Sequence, residues 1–543
     1  MIKLICNSER NEYDIRPLVM SFFPGETVEY IIEDSAQIEG MLHKIRSHEL
    51  EDRNSGRVIY LLLEDTNIRI CTNGKDKSEA GSKPDVEYRA DSAYISYEIN
   101  NADSVCAQGF IYEDIEYAAV PDSKKYRDDL KRLIYRILSR AAGKGNRWGT
   151  LTGVRPSKIA MGYLKEGLSR GEIIDKMREE YYCSEEKASL CADVAQNELR
   201  ILDRINYETG YSVYIGIPFC PTVCNYCSFS SISLEGLKDG AALMRDYLRA
   251  LEKECAAAAG LFRDKRLSSI YVGGGTPTAL DEECLAWLMS IIRDNFDVDG
   301  VYEFTVEAGR PDSINEKKLA ILKSAGVTRI SINPQTMKPE TLLLMGRKHT
   351  TGQVREVFRL ARDMHFDNIN MDLIAGLMGE SSGDFKNTIS AIGELAPDSF
   401  TVHSLVVKRA SKYRLQCEND GLAACGCDTG ADAVEKMLDM AAEFAGNAGY
   451  IPYYMYRQKN KSGLGSNNVL ENVGYSKPGR EGIYNIVIME EKQTIAACGA
   501  GASTKLVGFG GRIGRCENVK NVMQYIDRID EMIERKARLL KAF

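Results

Sequence analysis

Cys220, Cys224 and Cys227 fall within one short run, Phe219-Cys220-Pro221-Thr222-Val223-Cys224-Asn225-Tyr226-Cys227. Gaps of three and two residues let a single loop wrap three thiolates around a 4Fe–4S cube, leaving one iron without a local protein ligand. An open position on a metal centre marks catalysis, not structure. The amino and carboxylate groups of S-adenosylmethionine would chelate that iron. An electron passed into the sulfonium would then break a C–S bond and release a 5′-deoxyadenosyl radical. The alternative is zinc, which asks for a fourth Cys or His, usually as a second pair. The nearest His downstream is His349, and no such pair follows.

A second motif, Ser269-Ile270-Tyr271-Val272-Gly273-Gly274-Gly275-Thr276-Pro277-Thr278, closes a strand pattern. Glycines let a ligand approach the backbone, and their free N–H and C=O groups would hold the methionine part of the cofactor. With both motifs in place, the chain resembles the radical S-adenosylmethionine superfamily over 211–410. More narrowly it resembles the oxygen-independent coproporphyrinogen dehydrogenase branch and its HemZ-type members. The narrower likeness rests on Trp148-Gly149-Thr150-Leu151-Thr152-Gly153-Val154-Arg155-Pro156, on Val402-His403-Ser404-Leu405 and on the segment from Pro452 to Asn460.

The resemblance implies that Tyr214 and Tyr226 lie against bound S-adenosylmethionine and that Gly274, Gly275 and Thr276 form its glycine motif. It matches Glu307 to a ribose-binding carboxylate, and Gln335, Arg347 and Asp372 to further cofactor contacts. The chemistry agrees: a vicinal diol suits a carboxylate acceptor, and a carboxylate suits an arginine. A structural ion-pair network is the competing role for Glu307, Arg347 and Asp372. The resemblance also implies a porphyrinogen or haem substrate and a low-potential electron donor such as flavodoxin or ferredoxin.

Phe229 departs from the pattern, because the authentic dehydrogenases carry a further cysteine two positions after the third ligand. That cysteine is not a cluster ligand, so cofactor cleavage should survive its loss. Relatives that act as haem chaperones or break down haem share the substitution. Met378 stands where relatives usually have Pro, a loop detail. Three functions therefore compete. One is oxidative decarboxylation of coproporphyrinogen III to protoporphyrinogen IX, for which Arg155, Arg409 and Arg457 are candidate partners of the anionic substrate. The second is a haem-binding chaperone, weakened by the absence of any His after His403. The third is a radical methyltransferase or haem-opening enzyme.

These residues need a scaffold. Strand patterns at 211–217, 268–272, 302–307, 327–332, 368–374 and 398–407, the first five each followed by a helical pattern, predict a partial (β/α)6 parallel barrel in an α/β protein. Active sites in such barrels sit at the C-terminal ends of the strands. Around it the sequence predicts an N-terminal α/β or α+β domain over 1–145, a helical linker region over 146–210 and a C-terminal α+β extension over 411–543. The N-terminal strands are 29–32, 58–63 and 94–99, with a polar loop over 72–84. The C-terminal elements are a helix over 431–448, strands over 484–489 and 494–498, and a charged helix over 518–541.

The remaining cysteines of the fifteen read mostly as small buried hydrophobes. Cys417, Cys425 and Cys427 have poor spacing for a second cubane. A net charge of −8 argues against a broad nucleic-acid-binding face. The start lacks the apolar core of a signal peptide and no apolar run is long enough to span a bilayer, so a cytoplasmic protein without a membrane partner is expected.

Overall fold

The computed structural model describes residues 2–9, 11–23, 26–46, 57–63, 67–73, 106–107, 110–116, 124–227, 229, 231–405, 431–457 and 471–543. The predicted strand at 94–99, Arg409, Cys417, Cys425 and Cys427 lie outside them. Two compact units emerge: Met1–Ala192 with Arg457–Leu470, and Asp193–Tyr456 with Glu471–Phe543.

In the first unit a six-stranded sheet pairs Ile2–Cys6 in parallel with both Val28–Ile32 and Arg57–Leu63, then continues antiparallel through Asn67–Asn73, Phe110–Glu116 and Cys106–Ala107. The helices Glu12–Phe22 and Lys124–Ala142 supply one apolar core with it, including Ile15, Leu18, Leu130 and Ile134.

The second unit is built on parallel strands in chain order: Gly210–Ile217, Arg266–Gly274, Glu303–Glu307, Arg329–Ser331, Ile369–Ala375 and Ser399–Ser404. Strands covered on both faces read as near-continuous apolar runs. Val213, Ile215 and Ile217 are accordingly fully buried on one face of the first strand. Side chains cap the intervening helices. Thr350 with Gln353, and Ser381 with Asp384, form capping boxes, while Asp281 and Asn315 accept from the N–H groups of Cys284 and Lys318.

The last part of the chain completes the same sheet at both sides, giving eleven strands. Glu471–Ser476 pairs antiparallel with Ser399–Ser404, with Ile451–Arg457 beyond it. Thr494–Cys498 pairs in parallel with Gly210–Ile217, and Ser503–Val507 and Ile513–Glu517 follow as a meander. Residues 484–489, expected as a strand, instead lie in a helix, Ile483–Glu490. Its residues are apolar almost throughout, and a short continuous apolar run carries no period to separate a strand from a buried helix. The charged helix expected over 518–541 is two, Val522–Asp527 and Ile529–Ala542, broken at Arg528. No helix among the described residues is long and apolar enough to cross a membrane.

Candidate active site

The cysteine loop leaves the first barrel strand through Phe219–Cys220, which pairs with Ile232–Ser233. Backbone and side chain of Asn225 fasten it to the loop after the fourth strand: Asn225 N donates to the Met345 carbonyl at 3.0 Å and Nδ2 to the Leu344 carbonyl at 2.9 Å. All three thiols remain partly exposed. Burial pushes the Cys220 and Cys227 thiols up. Thr276, whose Oγ1 donates to Cys220 Sγ at 3.6 Å, pulls the first back. Arg310 donates from Nη1 to Cys224 Sγ at 3.5 Å while its other nitrogens grip Asp312 at 3.0 and 2.8 Å. Arg347 is 5% exposed, donates to the Asn333 carbonyl at 2.7 Å, and its charge acts on Tyr226 and Cys224. Burial and the charge of Arg347 push His349 down to about 4, so its imidazole is neutral near pH 7.

The glycine turn closes directly on the root of this loop. Gly275 N donates to the Ile217 carbonyl and Thr276 N to the Phe219 carbonyl, both at 2.7 Å. Gly274 has φ +107°, and a Cβ on Gly275 would stand 2.5 Å from the Phe219 carbonyl oxygen. Gly275→Ala is therefore expected to destabilise the second unit by about 1–3 kcal/mol, as overpacking against fixed backbone does. Chemical denaturation checks this, and an unchanged midpoint would show that the turn has room.

Next along the sheet, Glu307 ends the third strand. Burial pushes its carboxyl up to about 7, with Asp372 pushing the same way and the Tyr271 hydroxyl opposing. Gln335 follows the fourth strand with φ +67°, a left-handed conformation uncommon outside glycine and a frequent sign of function. It is locked there by Gln335 N donating to the Asp372 carbonyl and Ile374 N to the Gln335 carbonyl, both at 3.0 Å. Its side-chain Oε1 is buried with no hydrogen-bond partner. On the fifth strand, burial raises Asp372 but is outweighed by His403 and Asn370, which hold it below the usual carboxylate range. Asn370 Nδ2 donates to its Oδ1 at 2.8 Å, and His403 Nε2 lies 3.9 Å from the same oxygen. Tyr214, in the first strand, stacks on Tyr271.

All twelve residues singled out in the sequence thus occupy strands or the loops that leave them, on one unit. The model of the Radical SAM superfamily matches residues 214–392. Oxygen-independent coproporphyrinogen-III oxidase-like protein HemZ of Bacillus subtilis is 37% identical over 423 residues, 77% of this chain and 82% of that protein. The chain belongs to the radical SAM superfamily and to this HemZ-like family. Heme chaperone HemW of Bacillus subtilis is 37% identical over 198 residues, which cover 36% of this chain and 51% of HemW. A solved structure of coproporphyrinogen III oxidase (HemN) from Escherichia coli, a radical SAM enzyme, aligns with TM-score 0.46 and 23% identity, covering 62% of this chain and 73% of that one.

Radical SAM membership brings a 4Fe–4S cluster and S-adenosylmethionine as cofactors, and the residues present fit both. Three thiols emerge from one anchored loop, with the Arg310 guanidinium donating to Cys224 Sγ at 3.5 Å. A cubane asks for thiolates spread over three separate irons. The unpartnered Gln335 Oε1 and Arg347 Nε are buried polar atoms that a ligand would satisfy.

Two participants escaped the sequence reading. Arg310 sits just past the third strand in Glu307-Ala308-Gly309-Arg310-Pro311-Asp312, and the Arg–Asp pair at that strand end was the available signal. His403, within Val402-His403-Ser404-Leu405, carries no sequence signal for its place 3.9 Å from Asp372. The arginines proposed for substrate fare differently. Arg457 packs its guanidinium on Trp148 at 4.7 Å and donates to the Leu151 carbonyl at 2.6 Å, which ties together the first unit's Trp148–Pro156 segment. Arg155 is partly exposed.

Proposed function

We propose that this radical SAM protein oxidatively decarboxylates coproporphyrinogen III to protoporphyrinogen IX without oxygen, taking electrons from a low-potential donor such as flavodoxin or ferredoxin. The likeness to the oxidase-like HemZ carries this reading, because it spans most of both chains and not the barrel alone. When bound, the cluster and S-adenosylmethionine supply a radical able to take hydrogen from an unactivated carbon. The chain's own residues hold and orient. Cys220, Cys224 and Cys227 ligate iron, and Tyr226, Gly274, Gly275 and Thr276 flank the methionine moiety. Glu307 accepts the ribose diol, while Tyr214, Gln335, Arg347 and Asp372 complete the cofactor's surroundings.

The test is coproporphyrinogen III deuterated at the propionate β-carbon, supplied with reductant to the anaerobically reconstituted protein. Deuterium is expected in 5′-deoxyadenosine, with loss of carbon dioxide. A haem chaperone is the second reading, favoured by the match to HemW and by Phe229, which is 70% exposed beside the third cysteine. It predicts tight haem binding with no substrate-dependent turnover. Unlabelled deoxyadenosine alongside haem consumption would overturn both.

A further inference from the structure

Tyr271 lies in the strand that leads into the glycine turn and is half-buried beside Glu307. Its ring stacks on Tyr484 at 4.5 Å and on Tyr214 at 6.2 Å, with interplanar angles of 23° and 17°. Its hydroxyl donates to Glu307 Oε1. Tyr484 stands in the first turn of the helix Ile483–Glu490, and that helix is fixed by the same strand that carries Glu307. Glu303 accepts from Ile483 N at 2.6 Å through Oε2 and from Tyr484 N at 3.2 Å through Oε1. Residues four apart on a strand share a face, so Glu303 and Glu307 point to the same side. Gly273 leaves the space this requires: a Cβ there would stand 2.8 Å from the Tyr271 ring and 2.9 Å from the Glu307 carboxyl carbon.

We propose that Tyr271 is a positioning residue of the S-adenosylmethionine site, its hydroxyl fixing the Glu307 carboxylate for the ribose diol while the helix Ile483–Glu490 holds Tyr271 in place. This rests on Glu307 being the diol acceptor. A carboxylate on a flexible side chain loses rotamer freedom when it grips a ligand, and a neighbour that holds it beforehand removes part of that loss. The hydroxyl also favours the charged form of Glu307, which burial and Asp372 disfavour. The other charged or titratable groups around this carboxylate are Tyr214, Arg329, His403 and Tyr484.

Tyr271→Phe keeps the ring and its stack and removes only the hydroxyl. In the cluster-loaded protein, equilibrium binding of S-adenosylmethionine is expected to weaken about tenfold at pH 7, with iron content unchanged. The pH below which binding fails is expected to move upward, since less then opposes protonation of Glu307. Parent affinity and a parent pH profile would overturn the proposal, as would loss of the cluster in this variant, which would assign Tyr271 to the fold. Glu307→Gln separates the two layers. If it weakens binding and Tyr271→Phe does not, only the role of Tyr271 falls. If neither weakens binding, the diol assignment of Glu307 falls as well.

Discussion

Replacing Cys220, Cys224 and Cys227 together by Ala is expected to bring iron and labile sulfide from about four per chain to background. The brown colour and all deoxyadenosine formation should go with them. On the proposed ligation each thiolate holds a different iron. Among the described residues Cys6, Cys183, Cys191, Cys255, Cys284 and Cys498 are buried, and Cys516 is partly exposed. The loop's fold should persist, because its anchors are Asn225 on the Leu344 and Met345 carbonyls and not the metal. Cys284→Ala, on a helix behind the second strand, is the control and should keep its iron. Iron and sulfide near the parent content in the triple variant would show that the cluster is held elsewhere.

The second large effect concerns stability. Glu254, on the helix Gly240–Phe262, is fully buried, as is Lys536 on the last helix, and the two form an ion pair. The carboxylate also accepts from Asn518 Nδ2 at 2.7 Å, Gly499 N at 2.6 Å and the Tyr525 hydroxyl. Glu254→Gln leaves the Lys536 ammonium buried without a counter-charge, a change that costs about 3–5 kcal/mol in comparable pairs. Urea denaturation reads this directly. The double variant Glu254→Gln with Lys536→Met should recover part of the loss, because no charge is then stranded and the amide oxygen can still accept a hydrogen bond from Gly499 N or Asn518. A single variant within about 1 kcal/mol of the parent would mean that water reaches the pair.

The barrel and its chemistry were legible because both are written locally. Six apolar runs announced strands whose ends shift by only a few residues. The predicted 211–217 is Gly210–Ile217, and 368–374 is Ile369–Ala375. The cysteine loop and glycine turn needed only spacing and a place after a strand. What was not legible depends on partners distant in sequence. Nothing in Glu471–Ser476 announces that it will pair with Ser399–Ser404. The helix Ile483–Glu490 owes its start to Glu303, a residue of another element. Arg457 looked like a free cation for a propionate until Trp148 and the Leu151 carbonyl occupied it. Arg310 and Tyr271 likewise gain meaning only from the thiol and carboxylate that folding brings to them.

The pairing of Thr494–Cys498 with Gly210–Ile217 joins two strands far apart in the sequence. A ribosome delivers the cysteine loop early, at the tip of a strand whose outer side lacks this neighbour until Thr494–Cys498 has emerged. Through that interval an unpaired strand edge stands open to other chains, and such edges make folding intermediates prone to aggregate. Contacts so far apart in sequence also form slowly. Iron loaded onto the nascent loop would sit on an unfinished barrel. Orderly maturation of this protein therefore means closure of the sheet by Thr494–Cys498 first and assembly of the metal centre second.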